Sequence, residues 1–426
     1  MKLMNARGVR DFPPEEKIIR QKVVDILKKT FEEFGFNPLE TPIIERYDVL
    51  SSKYAGGTEI LKETFRLKDQ GGRDICLRYD LTVPFSRFVG MNPNIKLPFK
   101  RYQIGRVYRD GPIKLGRYRE FWQCDVDVVG TRNMMSDAEL IVIASKVFEK
   151  LGLDVIIKLN NRKILDGIMS FAGVPEKKWV STILSIDKLE KQGKNEVIKE
   201  LKQKNIRDDV IAKIFGMIQK QGSNKENMNN LKLFLKKGFG KEGLEEIEEM
   251  LGYLKTLKVK VDFDPSLARG LSYYTGSVFE VFMKKSNIKS AIAGGGRYDD
   301  MIGELLGKKE YPATGISFGL ELITDILKSS KDKKKTVVEC YVIPIKTPKE
   351  SFKIAQRLRD EGIKTDLDLV GRGISKNLDF ANSFNIPYVV FVGQKELSKN
   401  KVKLKDMNSG KEKLMSITSL IKKLKL

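Results

Sequence analysis

The stretch LARGLSYYTG, at residues 267–276, says most about the fold of this chain. Two further stretches are similarly rich in arginine, tyrosine and glycine: GRYREFWQ at 116–123 and AGGGRYDD at 293–300. Guanidinium groups bind carboxylates and phosphates through forked hydrogen bonds, and glycine lets the backbone approach a ligand closely. Together the three stretches predict a site for a phosphate-bearing substrate.

The size and charge of the chain narrow its class. It has 426 residues, of which 41% are hydrophobic. A chain of this length is too long to fold around one ordinary hydrophobic core, so about two or three domains are expected. Lys and Arg number 79 against 56 Asp and Glu, which gives a formal net charge of +23. The excess favours a polyanionic partner such as nucleic acid, although a lysine-rich solvated surface would give the same total.

Three features of the sequence favour a cytoplasmic protein. No run of about eighteen apolar residues occurs, so no membrane span is expected. The first residues lack the apolar core of a secretory signal. Cys76, Cys124 and Cys340 are too widely spaced for a disulfide framework or a zinc site.

The chain contains no histidine. Its absence excludes His-based triads, imidazole general bases and His-ligated metals. Any chemistry must therefore depend on carboxylates, arginines, tyrosines, backbone groups and bound metal ions.

Two neighbouring strands are expected to carry a polar face. Residues 101–109 and 119–129 alternate in polarity, and the loop 110–118 between them predicts an antiparallel pair. Two polar faces side by side predict the floor of a site for a charged ligand, and a solvent-exposed sheet face is the alternative. The residues on these faces are Arg101, Gln103, Arg109, Arg119, Phe121, Gln123, Asp125 and Asp127.

The rest of the sequence divides into three regions with different residue patterns. An amphipathic helix at 14–34 is followed by an extended, proline-punctuated stretch at 35–43. Residues 161–252 have a helical pattern and are rich in Lys and Glu. A charged linker at 328–335 follows later in the chain, and beyond it strands and helices alternate. This alternation predicts an α/β domain with a partly parallel sheet. The other expected elements are strands at 74–79, 277–284, 337–343, 363–368 and 387–392, and helices at 137–151, 348–361 and 373–384.

These motifs resemble the active site of the histidyl-tRNA synthetases, a branch of the class II aminoacyl-tRNA synthetases, and the resemblance runs over nearly the whole chain. It implies an α+β class II catalytic domain, an antiparallel sheet flanked by helices, with a helical insertion of the archaeal and eukaryotic type and a C-terminal α/β anticodon-binding domain. The implied divisions are 1–160 and 256–328 for the catalytic domain, 161–255 for the insertion and 336–426 for the anticodon-binding domain.

The resemblance also implies a reaction and partners. L-histidine and ATP, with Mg²⁺, give histidyl-adenylate and pyrophosphate, and the acyl group then passes to the 3′-terminal ribose of the histidine tRNA. A homodimer is implied because residues 35–43 resemble the motif that forms the dimer interface in the family. No side chain is expected to act as a dedicated metal ligand. A histidine-free enzyme of this kind could be translated when histidine is scarce, although a histidine-poor proteome explains the composition equally well.

For the amino acid, the resemblance implies contacts to the α-amino group, the imidazole and the carboxylate. An ammonium needs carboxylate and amide acceptors, and a buried tyrosine hydroxyl with a carboxylate can recognise both imidazole nitrogens. The implied residues are Asp80, Thr82 and Gln123 for the amino group, Asp127, Tyr273 and Tyr274 for the imidazole pocket, and Arg269 for the carboxylate.

For ATP and tRNA, the resemblance implies a second set of residues. Arg109 binds the α-phosphate, and Glu321 belongs to the ATP site. Arg269 lies between the histidine carboxylate and that phosphate, where a guanidinium neutralises the charge that develops as the carboxylate attacks phosphorus. Arg109 and Arg269 are therefore the predicted catalytic residues. Lys114 and Arg117 are expected to approach the acceptor end of the tRNA.

Two positions depart from the family pattern and keep other functions open. Glu321 is followed by Leu322, where the family has an arginine that clamps ATP, and Arg109 is followed by Asp110 and Gly111 rather than by the pattern Arg-x-Glu. The main alternative is a non-catalytic, histidine-sensing regulator of histidine biosynthesis, although such paralogues generally lack the anticodon-binding domain. A synthetase for threonine, proline or glycine is a third possibility, but it would not carry the motif at 269–276.

Overall fold

A computed structural model of the chain describes residues 2–54, 61–113, 118–269, 273–285, 288, 290–305, 307, 311–328 and 334–425. The chain forms two compact units. The first consists of Met1–Arg10 and Val23–Asp325, and the second of Asp11–Lys22 and Ile326–Leu426.

The first unit is built on a sheet of eight strands among the described residues, in the order β1-β5-β6-β11-β10-β9-β7-β8. A smaller sheet in the same unit has the order β2-β4-β3. The strands are β1 Asn37–Pro38, β2 Ile44–Arg46, β3 Arg66–Lys68, β4 Asp74–Leu77, β5 Phe99–Tyr108, β6 Glu120–Val129, β7 Val155–Asn161, β8 Asp262–Phe263, β9 Ser277–Met283, β10 Ala293–Arg297 and β11 Ala313–Gly319.

The antiparallel character expected for the large sheet is confirmed for its central pairs, whereas its two outermost pairs, β1 with β5 and β7 with β8, are parallel. The predicted hairpin is also confirmed. It is formed by β5 and β6, in a register that places Arg101 opposite Asp127 and Gln103 opposite Asp125.

The two faces of this sheet differ as the alternation predicts. On one face, Cys124 and Val126 of β6 are fully buried. Helix α1, at Pro14–Glu33, and helix α4, at Met134–Lys150, pack on this apolar face, because rings from both helices contact Phe318 of β11. The opposite, polar face is thereby left to line a pocket.

The helices that lie wholly or partly in the first unit include those of the helical region that the sequence predicts. They are α1 Pro14–Glu33, α2 Tyr47–Tyr54, α3 Thr82–Met91, α4 Met134–Lys150, α5 Arg162–Ala172, α6 Trp179–Ile186, α7 Leu189–Gln192, α8 Lys194–Gln203, α9 Asp208–Ile218, α10 Asn224–Phe234, α11 Gly238–Thr256, α12 Asp299–Leu305 and α13 Leu320–Leu327, with a 3₁₀ turn at Glu176–Lys178.

The helical region begins directly after β7. Asn161 caps α5, since its side chain accepts a hydrogen bond from the backbone N–H of Lys163. Helices α5 and α11 pack closely through Gly167, where an added β-carbon would lie only 2.6 Å from the Cα of Gly240. Helical content from 161 to 252 is confirmed, whereas the domain boundaries at 161 and 255 stay predictions.

The second unit contains a mixed sheet of five strands among its described residues, in the order β13-β12-β14-β15-β16. The partly parallel arrangement is confirmed, since β12 is parallel to β13 and β14 and the other pairs are antiparallel. Its elements are β12 Cys340–Ile345, α14 Pro348–Asp360, β13 Thr365–Leu367, α15 Ile374–Ser383, β14 Tyr388–Gly393, α16 Gln394–Leu397, β15 Val402–Asp406, β16 Glu412–Met415 and α17 Ile417–Leu424.

Strand β12 begins three residues later than the polarity pattern predicts. It starts where Cys340 meets Thr365 of β13 and Tyr388 of β14, and these partners are not visible in local sequence. Across the described part of the chain, no helix combines the length and the apolar character needed to span a bilayer.

Candidate active site

A pocket of about 660 Å³ lies on the polar face of the large sheet. Its floor includes residues of β6, β10 and β11, and one wall includes Asp187 of the helical region. Lys114 and Arg117, the predicted tRNA contacts, lie outside the described residues. The other predicted site residues all line the pocket: Asp80, Thr82, Arg109, Gln123, Asp127, Arg269, Tyr273, Tyr274 and Glu321.

Asp127, at the deep end of the floor, is held by two neighbours. Its Oδ1 accepts a hydrogen bond of 2.6 Å from the hydroxyl of Tyr298, and its Oδ2 lies 2.8 Å from Nη2 of Arg101. Arg101 is fully buried. Burial and the adjacent Asp127 carboxylate hold the pKa of Tyr298 well above its usual value, so the tyrosine stays a hydrogen-bond donor. The carboxylate thus has a fixed orientation before any ligand binds.

Asp80 and Thr82 lie where the chain enters α3. Oδ1 of Asp80 accepts a hydrogen bond of 2.9 Å from the backbone N–H of Val83, in the first turn of the helix. Both side chains are nearly buried, at 5% and 9% exposure, and both line the pocket. The helix start therefore fixes a carboxylate beside the pocket, as the N-terminal partial charge of a helix favours.

Arg109, directly after β5, is positioned by two aromatic rings. Its guanidinium carbon lies 4.2 Å from the ring centre of Tyr79 and 5.0 Å from that of Phe121. Its Nε donates a hydrogen bond of 3.2 Å to the backbone oxygen of Tyr79. Cation–π contacts of this kind hold a guanidinium in place while leaving other N–H groups to donate to a ligand.

Arg269 reaches the pocket from the opposite side. Its Nη1 lies 3.2 Å from Oε1 of Glu280, and its guanidinium carbon is 5.3 Å from the ring centre of Tyr274. An added β-carbon on Gly294 would lie 1.8 Å from Nη1 of Arg269, so a larger residue at this strand position would displace the guanidinium. The expected close approach to the glycine triplet is therefore made by the arginine itself.

Glu321 joins the start of α13 to the hairpin. Both of its carboxylate oxygens accept from the backbone N–H of Trp122, at 3.2 and 3.1 Å. Leu322 lines the pocket beside it, at the position where the family has an arginine. Among the described residues, the cationic side chains that line the pocket are Arg109, Lys158, Lys191 and Arg269.

Among the pocket residues that the sequence assigns no role are three carboxyl groups with a raised pKa, those of Asp125, Glu280 and Asp187. Burial is the main cause that raises the pKa of each carboxyl, and the neighbouring Asp127 adds to it for Asp125, whose pKa is raised to about 7. Alternation along β6 and β9 places Asp125 and Glu280 on the pocket face. Asp187, by contrast, comes from the helical region, and no sequence signal connects it to the sheet.

The described residues contain no group of three or more Cys, Asp or Glu side chains arranged to hold a metal ion. A cation that enters with a nucleotide does not need such a cage, because Mg²⁺ is commonly bound by substrate phosphates, water and one or two carboxylates.

Comparisons with known proteins show the family of the chain. The family profile described as histidyl-tRNA synthetase matches residues 8–323, and the profile described as anticodon binding domain matches residues 339–426. Histidine--tRNA ligase 1 of Bacillus cereus is 43% identical, with 99% of both chains covered. Histidine--tRNA ligase of Clostridium tetani is 36% identical, covering 98% of this chain and 97% of the relative.

Solved structures show the same fold. The histidyl-tRNA synthetase from Nostoc sp. PCC 7120 superposes with a TM-score of 0.89 at 29% identity, covering 100% of this chain and 99% of that one. A protein from Bacillus halodurans titled ATP phosphoribosyltransferase regulatory subunit/histidyl-tRNA synthetase superposes with a TM-score of 0.76 at 21% identity, covering 92% and 98%. At that identity the second likeness concerns the fold alone.

The large sheet with its pocket, followed by an anticodon-binding domain, defines a class II aminoacyl-tRNA synthetase. Within this class, the chain belongs to the histidyl-tRNA synthetase family.

Proposed function

We propose that this chain ligates L-histidine to its tRNA at the expense of ATP, through a histidyl-adenylate intermediate. The observation that carries the proposal is that two preplaced guanidinium groups, of Arg109 and Arg269, and the carboxylate of Asp127 line one pocket. Such a pocket can hold the phosphate, the carboxylate and the imidazole of the reactants together, so that the reacting atoms are brought close.

In the first step, a carboxylate oxygen of histidine attacks the α-phosphorus of ATP, and pyrophosphate leaves. Arg269 lies between the two reacting anions in this proposal, and Arg109 binds the α-phosphate. Negative charge on the phosphoryl oxygens increases during attack, and guanidinium groups that are already oriented stabilise it without reorganisation. In the second step, a ribose hydroxyl at the 3′ end of the tRNA attacks the acyl carbon, and AMP leaves.

The amino acid is proposed to be selected by its hydrogen-bonding groups. Asp127, fixed by Tyr298 and Arg101, accepts an imidazole N–H, while Tyr273 and Tyr274 complete the ring pocket. A side chain without matching N–H groups leaves the buried acceptors unpaired, which is why polar recognition discriminates strongly. The α-ammonium is assigned to the acceptors Asp80, Thr82 and Gln123.

The nucleotide is proposed to enter with Mg²⁺ bound to its phosphates, since the described residues offer no dedicated metal cage. Leu322 cannot make the charged contact of the usual arginine. Its place beside the pocket suits contact with the adenine ring, and Lys158 or Lys191 is the proposed partner of the outer phosphates. Glu321, tied to Trp122, is proposed to support the ATP site.

The regulatory alternative is less well supported. The anticodon-binding match at 339–426 favours a tRNA-charging enzyme, because a regulator of biosynthesis has no use for that domain. The proposal includes a cytoplasmic homodimer, domain divisions at 1–160, 161–255, 256–328 and 336–426, and contacts from Lys114 and Arg117 to the acceptor end. The archaeal and eukaryotic subtype has no support from the relatives reported above, which are bacterial.

The proposal is tested by pyrophosphate exchange into ATP, with purified protein and each of the twenty amino acids in turn. Exchange with histidine alone is expected. An absence of exchange, together with histidine binding measured by calorimetry, would instead favour the regulatory alternative.

A further inference from the structure

Asp125 is a pocket carboxylate to which the family resemblance gives no role. It is 4% exposed and lies between Gln123 and Asp127 on the pocket face of β6. Among the described residues, neither its Oδ1 nor Oε1 of Gln123 has a hydrogen-bond partner. Buried acceptors are nearly always paired in proteins, so two orphaned acceptors at alternate positions of one strand point to a missing donor.

The charged groups around Asp125 do not supply that donor. Arg101 of β5 pairs with Asp127 through Nη2, and its Nε and Nη1 donate to no described residue. Arg78, which follows β4, donates to the backbone oxygens of Thr41 and Arg106. The other charged neighbours, Asp127 and Asp80, are carboxyls. Ser317 of β11 hydrogen-bonds to the Asp125 side chain. The carboxyl is thus buried beside like charges, and burial and Asp127 raise its pKa to about 7.

We propose that Asp125 is a further substrate-binding residue, whose carboxylate accepts an N–H hydrogen bond from bound histidine. The inference rests on the proposed function. Histidine carries N–H donors on its ammonium and on its imidazole, and both are of the class that a buried carboxylate binds most strongly. A donor placed between Asp125 and Gln123 satisfies both orphaned acceptors.

This role makes a prediction that a structural role would not. In the empty pocket the buried carboxyl is unfavourable, so replacing it with an uncharged amide is expected to leave the melting temperature unchanged or to raise it. The same replacement removes the charged acceptor and weakens histidine binding. A purely structural carboxyl would instead give a less stable protein.

The test compares Asp125→Asn with the wild type by calorimetric titration of L-histidine at pH 8. We expect Kd to rise at least about tenfold, as for a lost charge-assisted hydrogen bond, with no fall in melting temperature. Asp166→Asn is the matched control, because burial also raises the pKa of Asp166 but this residue pairs with Arg162 outside the pocket. The control is expected to bind histidine as the wild type does.

A Kd within about twofold of the wild type in Asp125→Asn would overturn the inference while leaving wild-type activity, and hence the proposed function, intact. A wild type that binds no histidine would instead overturn the proposed function. Asp125→Ser is measured in parallel, so that poor folding of one variant does not remove the test.

Imidazolepropionate, which lacks the ammonium, identifies the donor. Its affinity falls in Asp125→Asn if the imidazole is bound and is unchanged if the ammonium is.

Discussion

Two buried arginine–aspartate pairs lie among the described residues of the first unit, and they differ in how many of their polar atoms have hydrogen-bond partners. In the first, Asp137 of α4 pairs with Arg297, and its Oδ1 also accepts from the hydroxyls of Ser277 and Thr314. In the second, Asp127 pairs with Arg101, whose Nε and Nη1 have no hydrogen-bond partner among the described residues. Only the second pair reaches the pocket.

This difference indicates that the Asp137 pair contributes to stability and the Asp127 pair to function. Among the described residues, this network leaves one polar atom without a partner, Nε of Arg297, and it lies outside the pocket, so the Asp137 pair serves to hold α4, β9, β10 and β11 together. Beside the pocket, by contrast, Nε and Nη1 of Arg101 and Oδ1 of Asp125 have no hydrogen-bond partner among the described residues. Buried polar atoms without a hydrogen-bond partner lower the stability of the fold, and proteins keep such atoms where a bound ligand supplies the partner.

The largest loss of folding stability is expected from breaking the pair between Asp137 and Arg297. Asp137→Ala removes the carboxylate at Nη2 of the buried Arg297 guanidinium, which then keeps only the Asp299 carboxylate, at Nη1, among the described residues, and this costs about 3–5 kcal/mol of folding stability. Urea unfolding followed by far-UV circular dichroism measures this cost for the catalytic unit. A loss below about 1 kcal/mol would show that the network is not the stabilising one.

Arg269→Ala is expected to have the opposite profile. Removing one preorganised charge-stabilising group costs about 10²–10³-fold in rate, so histidine-dependent pyrophosphate exchange should fall by at least that factor. The melting temperature should stay close to that of the wild type. Arg162→Ala, outside the pocket, serves as the control for the loss of an arginine. Unchanged exchange in Arg269→Ala would remove this residue from the mechanism.

Asp127→Asn separates histidine binding from ATP binding within the pocket. The amide keeps the shape but loses the charge that faces Arg101, so histidine binding should weaken about ten- to a hundredfold. ATP binding should change much less, because the proposed phosphate contacts come from elsewhere. Calorimetric titration of both ligands decides the matter, and an equal loss for both would argue against an imidazole contact.

The smallest effect concerns pH. The folded-state pKa of Asp125, about 7, is above its ordinary value of 3.8. The stability that this carboxyl contributes is therefore complete below pH 3.8 and is lost as pH rises through about 7. The melting temperature of Asp125→Asn should exceed that of the wild type by more at pH 8 than at pH 5. A gap that does not depend on pH would contradict the raised pKa.

The sequence predicts local features well, because they depend on periodicity. Alternation along 119–129 places Gln123, Asp125 and Asp127 on one face, and the loop 110–118 predicts the hairpin. The register that brings Arg101 opposite Asp127 comes from the structure. The contact between Tyr298 and Asp127, which are 171 residues apart, has no local signal.

Other features could not be read from periodicity. Strands β1, β2, β3 and β8 have two or three residues each, too few to show a pattern. The glycine triplet predicts a close approach to a ligand, whereas the groups nearest to Gly294, Gly295 and Gly296 belong to Arg269, Gly315 and Ser277. Burial of Asp125 among carboxyls depends on three strands and a helix start at once, so its raised pKa is a property of the assembled pocket.

The most direct test of the central claim is the charging of histidine tRNA by the purified chain, with labelled histidine and ATP. Histidine is expected to become esterified to the tRNA in a reaction that requires ATP. Arg269→Ala is expected to slow this reaction at least about 10²-fold, whereas Asp137→Asn at a permissive temperature is not. A chain that binds histidine and ATP but transfers no histidine to tRNA would contradict the account.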